Sequence, residues 1–219
     1  MIRNKKSNWS KENVLLFKER WKAVTIPVNI KIDKRQTALH LDQILSIIRV
    51  VETIGVENCF CRTELQNCDL PLKICLTLNM NAIKNANEGI AEIISKPEAE
   101  KIILEAHQKE LVHLALHHPE EDEMNIQTIC SCCSCCCSAF QGLIRMNMTG
   151  LGKNSPYFST HDPEKCNNCK KCTSMCYFKA RTLNEGGDTI FNETKCYGCG
   201  LYVTTCPEDA IVMNKRVSS

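Results

Sequence analysis

The sequence predicts an α+β protein in two parts, a mixed α/β cysteine-rich part over residues 1–150 and a smaller duplicated part over 151–219. Three observations predict it. Before residue 150, runs with helical apolar spacing alternate with short strand-like runs. After it, a cysteine-bearing unit recurs at an offset of 30 residues. Between them LGKNSPYFSTHDP, Leu151 to Pro163, has the Gly, Ser and Pro content of a linker.

A chain of 219 residues makes one large domain or two small ones, and with 5% aromatics its core rests on Ile, Leu and Val. A net charge of +2 gives no support for nucleic-acid binding, which shows as a strongly basic face. The basic start MIRNKKSNWSKEN leads into no apolar signal region, and no window approaches 18 uninterrupted apolar residues. The expectation is a soluble cytoplasmic protein with no membrane insertion. There, clustered thiols bind metal or do redox chemistry more often than they form bridges, and 17 cysteines, an odd number, do not close a disulfide framework.

In chain order, NWSKENVLLFKERWK, Asn8 to Lys22, reads as an amphipathic helix carrying Trp9 and Trp21 and packing on its own domain. VTIPVNIKID, Val24 to Asp33, alternates around Pro27 as an edge strand does. Leu41, Ile44, Leu45, Ile48 and Val51 recur at helical spacing, with Gly55 as the stop. NCFCRTELQNCDLPLKICLTL follows, where Pro71 and the Leu72–Leu78 run suggest a loop feeding a strand. Ser95-x-x-Glu98 has capping-box spacing, with Pro97 in the first turn. Ile102, Ile103, Ala106, Glu110 and Leu114 mark one face of that helix, which is expected to end near His117 and His118. The acidic stretch Pro119 to Glu123 makes a solvated loop before ICSCCSCCCSAF, which packs six cysteines between Cys130 and Cys137.

The duplicated unit carries the sharpest chemical signal. KCNNCKKCTSMCYFKARTL from Lys165 and KCYGCGLYVTTCPEDAIVM from Lys195 align without a gap. The first copy reads Cys166-x2-Cys169-x2-Cys172-x3-Cys176, in which three thiolates on one tight loop reach three corners of a cubane iron–sulfur cluster. Residues 156–216 thus resemble the bacterial-type dicluster [4Fe–4S] ferredoxins. The resemblance implies a small α+β fold with one [4Fe–4S] cluster on Cys166, Cys169, Cys172 and Cys206. A second cluster would take Cys176, Cys196 and Cys199, with its remaining ligand expected at position 202. That position is Tyr202. Phenolate is a poor substitute for thiolate, so three outcomes stay open: a [3Fe–4S] cluster, a four-iron cluster with a non-cysteine ligand, or an empty site with Tyr202 packed in the gap. Tyr177 also replaces the family's proline, while Pro207 keeps it. A pair of zinc knuckles is the plainer reading of Cys-x2-Cys pairs, but four cysteines at this spacing followed by Cys-Pro favour iron–sulfur.

The N-terminal part adds Cys59, Cys61, Cys68 and Cys75 to Cys130, Cys132, Cys133, Cys135, Cys136 and Cys137, ten thiols expected on loops at the ends of strands and helices. With Arg62, Pro71 and the Leu111–His113 segment, they resemble a group of anaerobe iron–sulfur proteins that precede a dicluster ferredoxin with a CxCR segment and a later cysteine-rich segment. The resemblance implies iron–sulfur binding in an oxidoreductase context. The residues leave three readings open: further iron–sulfur clusters, among them noncubane kinds using adjacent cysteines, a zinc or copper(I) thiolate centre, or a redox-active thiol set. His113 is expected to pack on its helix, and His117 and His118 to be exposed. Arg62 is expected either to donate to a cluster sulfide or to lie on the surface.

Together these point to an electron-transfer protein or small redox-enzyme subunit, served by redox partner proteins as donor and acceptor. A soft-metal storage or sensing protein with a structural ferredoxin half is the rival. Gly186-Gly187 and Gly198-x-Gly200 lack the spacing of a nucleotide or flavin fingerprint.

Overall fold

A computed structural model describes residues 7–20, 22–26, 29–30, 39–40, 42–117, 126–148 and 154–216. Trp21, Pro27, Leu41, His118, the acidic stretch 119–123 and linker residues 151–153 lie outside the described residues. Two compact units emerge, Met1–Val24 with Leu45–Lys153, and Thr25–Ile44 with Asn154–Ser219. Among the described residues, no helix is long and apolar enough to cross a membrane.

The chain opens with α1 (Lys11–Arg20), β1 (Lys22–Ile26), the short strands β2 (Asn29–Ile30) and β3 (Leu39–His40), and α2 (Asp42–Val50). There follow β4 (Ile54–Asn58), α3 (Phe60–Leu65), β5 (Lys73–Leu78), α4 (Asn79–Asn87), β6 (Ala91–Ile94) and α5 (Lys96–Gln108). β7 (Val112–His117) and β8 (Thr128–Cys132) run into the cysteine-rich turn, then α6 (Ser138–Phe140) and a π-helical turn, Gln141–Arg145. Six strands form one sheet in the order β1-β7-β8-β5-β4-β6, and every pairing from β7 to β6 is antiparallel.

Strand alternation decides which thiols share a face. Glu57 pairs with Cys75, Thr77 with Thr128, and Leu114 with Cys130. Glu57, Cys75, Cys130 and Cys132 therefore stand on one face, while Ile74, Leu76 and Ile129 stand on the other. Ile74 joins Ala106 of α5 and Leu111 in a buried apolar cluster.

Ser95 caps α5 as its spacing predicts, accepting from the Glu98 N–H while Glu98 accepts from the Ser95 N–H at 2.9 Å; such a cap contributes about 1 kcal/mol. Of the edge strand expected over Val24–Asp33, Val24–Ile26 belong to β1 at the rim of the sheet, while Asn29–Ile30 form β2, paired with β3. Four expectations differ. Gly55 does not stop a helix; it lies inside β4, where a Cβ would come within 2.9 Å of Thr77 Cγ2 and 3.2 Å of Ala91 Cβ. Close strand approach selects the glycine. The helix from Ser95 stops at Gln108, Glu110 turns left-handed at φ 58°, and residues 112–117 form an interior strand. Every residue of that strand is buried, so its apolar run is near-continuous and imitates one helix face. His113 consequently packs on a strand, with Nδ1 3.0 Å from Ser131 Oγ. His117 is buried at 3% exposure, rather than exposed.

The second unit contains β9 (Tyr157–His161), α7 (Lys171–Ser174), β10 (Arg181–Leu183), β11 (Thr189–Phe191), a 3-10 turn at Glu193–Lys195 and β12 (Ile211–Lys215). β9 pairs with β12 and β10 with β11, both antiparallel. The duplication is written in the backbone. Left-handed residues fall at Asn168, Lys170 and Lys179, and again 30 positions on at Gly198, Gly200 and Asp209. At Gly198 a Cβ would sit 2.0 Å from the Tyr157 carbonyl oxygen, so only glycine fits.

Candidate metal centres

None of the 17 cysteines forms a disulfide. The ten N-terminal thiols come from three segments. Cys59 caps α3 and Cys61 lies on its first turn; Cys68 follows in the loop to β5, which carries Cys75. Cys130 and Cys132 lie on β8, and Cys133, Cys135, Cys136 and Cys137 on the turn into α6. Three of them therefore sit within strands rather than on loops.

These thiols fall into two groups. Cys59, Cys61, Cys75, Cys130, Cys132 and Cys137 line a cavity of about 480 Å³, together with Leu16 and Phe17 of α1 and with Cys133, which also belongs to the second group. Their thiols run in sequence, Cys59 against Cys75, then Cys130, Cys132, Cys137 and Cys61. The second group is Cys68, Cys133, Cys135 and Cys136, whose Sγ atoms all lie within 4.8 Å of one another. Hydrogen bonds from neighbouring thiols hold Cys130 and Cys137 low, whereas Cys59, Cys75 and Cys132 are pushed up by neighbouring thiols and burial. So crowded a set cannot ionise together in a low dielectric without a cation to balance it.

Arg62 joins the three segments. It is 0% exposed; Nη1 donates to the Pro71 carbonyl in the loop before β5, and Nη2 to the Ser131 carbonyl on β8. Its Nε has no hydrogen-bond acceptor among the described residues. Cys59, Cys75 and Cys133 all feel its charge. Of the two readings for this residue, the surface one fails. An orphaned, buried N–H beside a thiol-lined cavity suits an anionic cluster, whose sulfides accept such bonds.

Sequence reasoning missed the groups that fix the cysteine turn. Trp9 Nε1–H donates to the Cys136 carbonyl at 2.8 Å, Asn67 Nδ2–H to the Cys135 carbonyl at 2.8 Å, and Gln141 Nε2–H to the same carbonyl at 2.9 Å. Trp9 also stacks on Phe60, with centroids 5.8 Å apart. The N-terminal segment thus packs on its own unit, and the only signal for it was an aromatic just ahead of an amphipathic helix.

In the second unit, Cys166, Cys169, Cys172 and Cys206 line one pocket, open enough that Cys166 and Cys169 are exposed. Cys176, Cys196 and Cys199 are buried together around Tyr202, itself 3% exposed, whose Oη–H donates to Cys176 Sγ at 2.9 Å. The phenol thus fills the corner where a fourth thiol would stand, and burial pushes its pKa well above the usual value. Arg181 borders the first pocket at 1% exposure. Its Nη2 donates to Ser159 Oγ at 3.1 Å, but Nε and Nη1 have no acceptor among the described residues. Its guanidinium carbon lies 4.7 Å from the Phe191 ring centroid and 5.7 Å from that of Tyr202. The signal for Arg181 was in the repeat, because the second copy carries Ile211 there, equally buried.

Two curated relatives, the archaeal-type NADPH glutamate synthases of Thermotoga maritima and Thermotoga sp. (strain RQ2), are each 34% identical over 56 residues. The match takes 25% of this chain and 11% of each relative, so the chain spans a small fraction of their length. Residues 165–211, which hold every cysteine of the duplicated unit, match the family model described as a 4Fe-4S dicluster domain.

Proposed function

We propose that this chain is an iron–sulfur electron-transfer protein, or the electron-transfer subunit of an oxidoreductase, working in the reducing cytoplasm of an anaerobe. Cys166, Cys169, Cys172 and Cys206 hold a [4Fe–4S] cluster that takes electrons from a redox partner protein. The electrons pass to an N-terminal iron–sulfur centre held by thiols of the cavity face. One observation carries this reading: the first-cluster cysteines open to solvent at Cys166 and Cys169, whereas the cavity thiols are largely enclosed beside the buried charge of Arg62. An exposed cluster suits a transient partner. An enclosed one suits an internal acceptor whose potential its surroundings set.

The group at each site supplies one-electron chemistry, and the chain's own residues set where it occurs. Arg181 and Arg62 each offer N–H donors that stabilise the more negative, reduced state. Tyr202 leaves the second ferredoxin site three thiols, which suits a three-iron cluster. The test is stopped-flow reduction of the anaerobically purified chain by a reduced flavodoxin-type protein. Cys169→Ala should slow reduction of the N-terminal centre at least tenfold. Equal rates in the two proteins would remove the C-terminal unit from the electron path.

A further inference from the structure

The two groups of N-terminal thiols have different geometries, and the difference bears on what each can hold. A single tetrahedral ion with bonds of about 2.3 Å to sulfur sets its ligand sulfurs about 3.8 Å apart, since a tetrahedron's edge is about 1.6 times its centre-to-corner distance. In the compact group Cys68 Sγ lies 3.8 Å from Cys136 Sγ and 4.0 Å from Cys133 Sγ, and Cys135 Sγ lies 3.9 Å from Cys136 Sγ. A cubane places each thiolate on a different corner iron and needs its sulfurs spread well beyond contact. The six cavity thiols are strung along the wall of the 480 Å³ cavity, which Cys133 also lines, whereas the four compact thiols all lie within 4.8 Å of one another.

The backbone around the compact group is also fixed as a ligand loop should be. Cys133, Cys135 and Cys136 come from one tight turn, and Trp9, Asn67 and Gln141 hold its Cys135 and Cys136 carbonyls. Outer hydrogen bonds of this kind orient first ligands. Cys133 and Cys136 are buried, and Cys68 and Cys135 partly so. Three of the sulfur pairs already stand at 3.8–4.0 Å and all four atoms lie within 4.8 Å of one another, so four thiols are on hand for the four positions of a tetrahedral ion.

We propose that Cys68, Cys133, Cys135 and Cys136 form a closed structural zinc site, separate from the redox centre of the cavity. Zinc suits it because it accepts four thiolates tetrahedrally, has no redox chemistry and imposes no other geometry. The ion ties the loop after α3 to the turn after β8, and so frames the cavity without entering its electron traffic. Arg62, beside Cys133, offsets part of the negative charge of four thiolates on a divalent ion. This inference concerns thiols other than the six that the electron-transfer reading uses, with Cys133 alone also on the cavity wall.

The test is zinc, iron and sulfide analysis of the whole chain, purified anaerobically from cells supplied with both metals. One zinc per chain is expected. Cys68→Ser should lose at least nine-tenths of it with iron and sulfide unchanged, and Cys132→Ser should keep the zinc while losing iron. Absence of zinc, or loss of iron in Cys68→Ser, would overturn the assignment while leaving the electron-transfer reading in place. If Cys68→Ser does not fold, zinc X-ray absorption on the unmutated chain decides the matter. Four sulfurs at about 2.3 Å support the site, and a nitrogen or oxygen ligand contradicts it.

Discussion

Replacing Arg62 with methionine keeps most of the side-chain volume and removes both donated hydrogen bonds. The Pro71 and Ser131 carbonyls are then left in an interior where Arg62 itself is 0% exposed. A buried polar group stripped of its partner costs about 1–3 kcal/mol, so the two together cost about 2–6 kcal/mol. No longer burying a guanidinium returns part of that, leaving about 2–4 kcal/mol. The assay is anaerobic urea unfolding of the protein as purified, followed by tryptophan fluorescence, because Trp9 belongs to the N-terminal unit and bonds the cysteine turn. With a urea slope near 2 kcal/mol per molar, the midpoint should fall by about 1–2 M. Arg62→Lys should lie between, since one ammonium does not reproduce the guanidinium fork. An Arg62→Met midpoint within about 0.25 M of wild type would refute the view that this residue clamps the three cysteine segments.

Tyr202→Cys should abolish the three-iron EPR signal expected of the oxidised wild-type chain and raise its iron content; no such signal in wild type, with iron unchanged in Cys196→Ser, would mean an empty second site. Arg181→Met, which removes a buried positive charge and two unpartnered donors beside the first ferredoxin pocket, should lower that cluster's midpoint potential in an EPR-monitored titration. An unchanged potential would make Arg181 a packing residue only. Burial, then the charge of His107, push the pKa of His113 down to about 3. Its contribution to stability is therefore present above the unfolded value of about 6.5 and is lost as pH falls, at about 1.4 kcal/mol per unit. Between pH 6.5 and 5 the wild type should lose about 2 kcal/mol more than His113→Gln in urea titrations, and parallel profiles would contradict this.

Local spacing carries far in this chain. The run Cys166-x2-Cys169-x2-Cys172 is a local motif, legible without tertiary information, whereas its meeting with Cys206 of the second copy in one pocket needed the fold. The departure at Tyr202 was readable too, and only its hydrogen bond to Cys176 needed the fold. What local spacing does not carry is the partner across a sheet. Leu114 fits a helix face until β7 is seen between β1 and β8, buried on both faces. Gly55 resembles a helix stop until Thr77 and Ala91 are placed beside it. The ten N-terminal thiols read as one set because nothing in their order shows that Cys75 and Cys130 share a face while Cys68 reaches the turn at Cys133–Cys136. That division comes from the pairing of β5 with β8.

Electron transfer within this chain requires a redox centre in the N-terminal unit distinct from the C-terminal cluster. EPR-monitored redox titration of the anaerobically purified chain, beside Cys169→Ser and Cys132→Ser, tests this directly. The wild type should show signals from both units, with the [4Fe–4S] signal missing from Cys169→Ser and a different one missing from Cys132→Ser. A Cys132→Ser spectrum and titration curve matching wild type would contradict an electron-accepting centre on the cavity thiols.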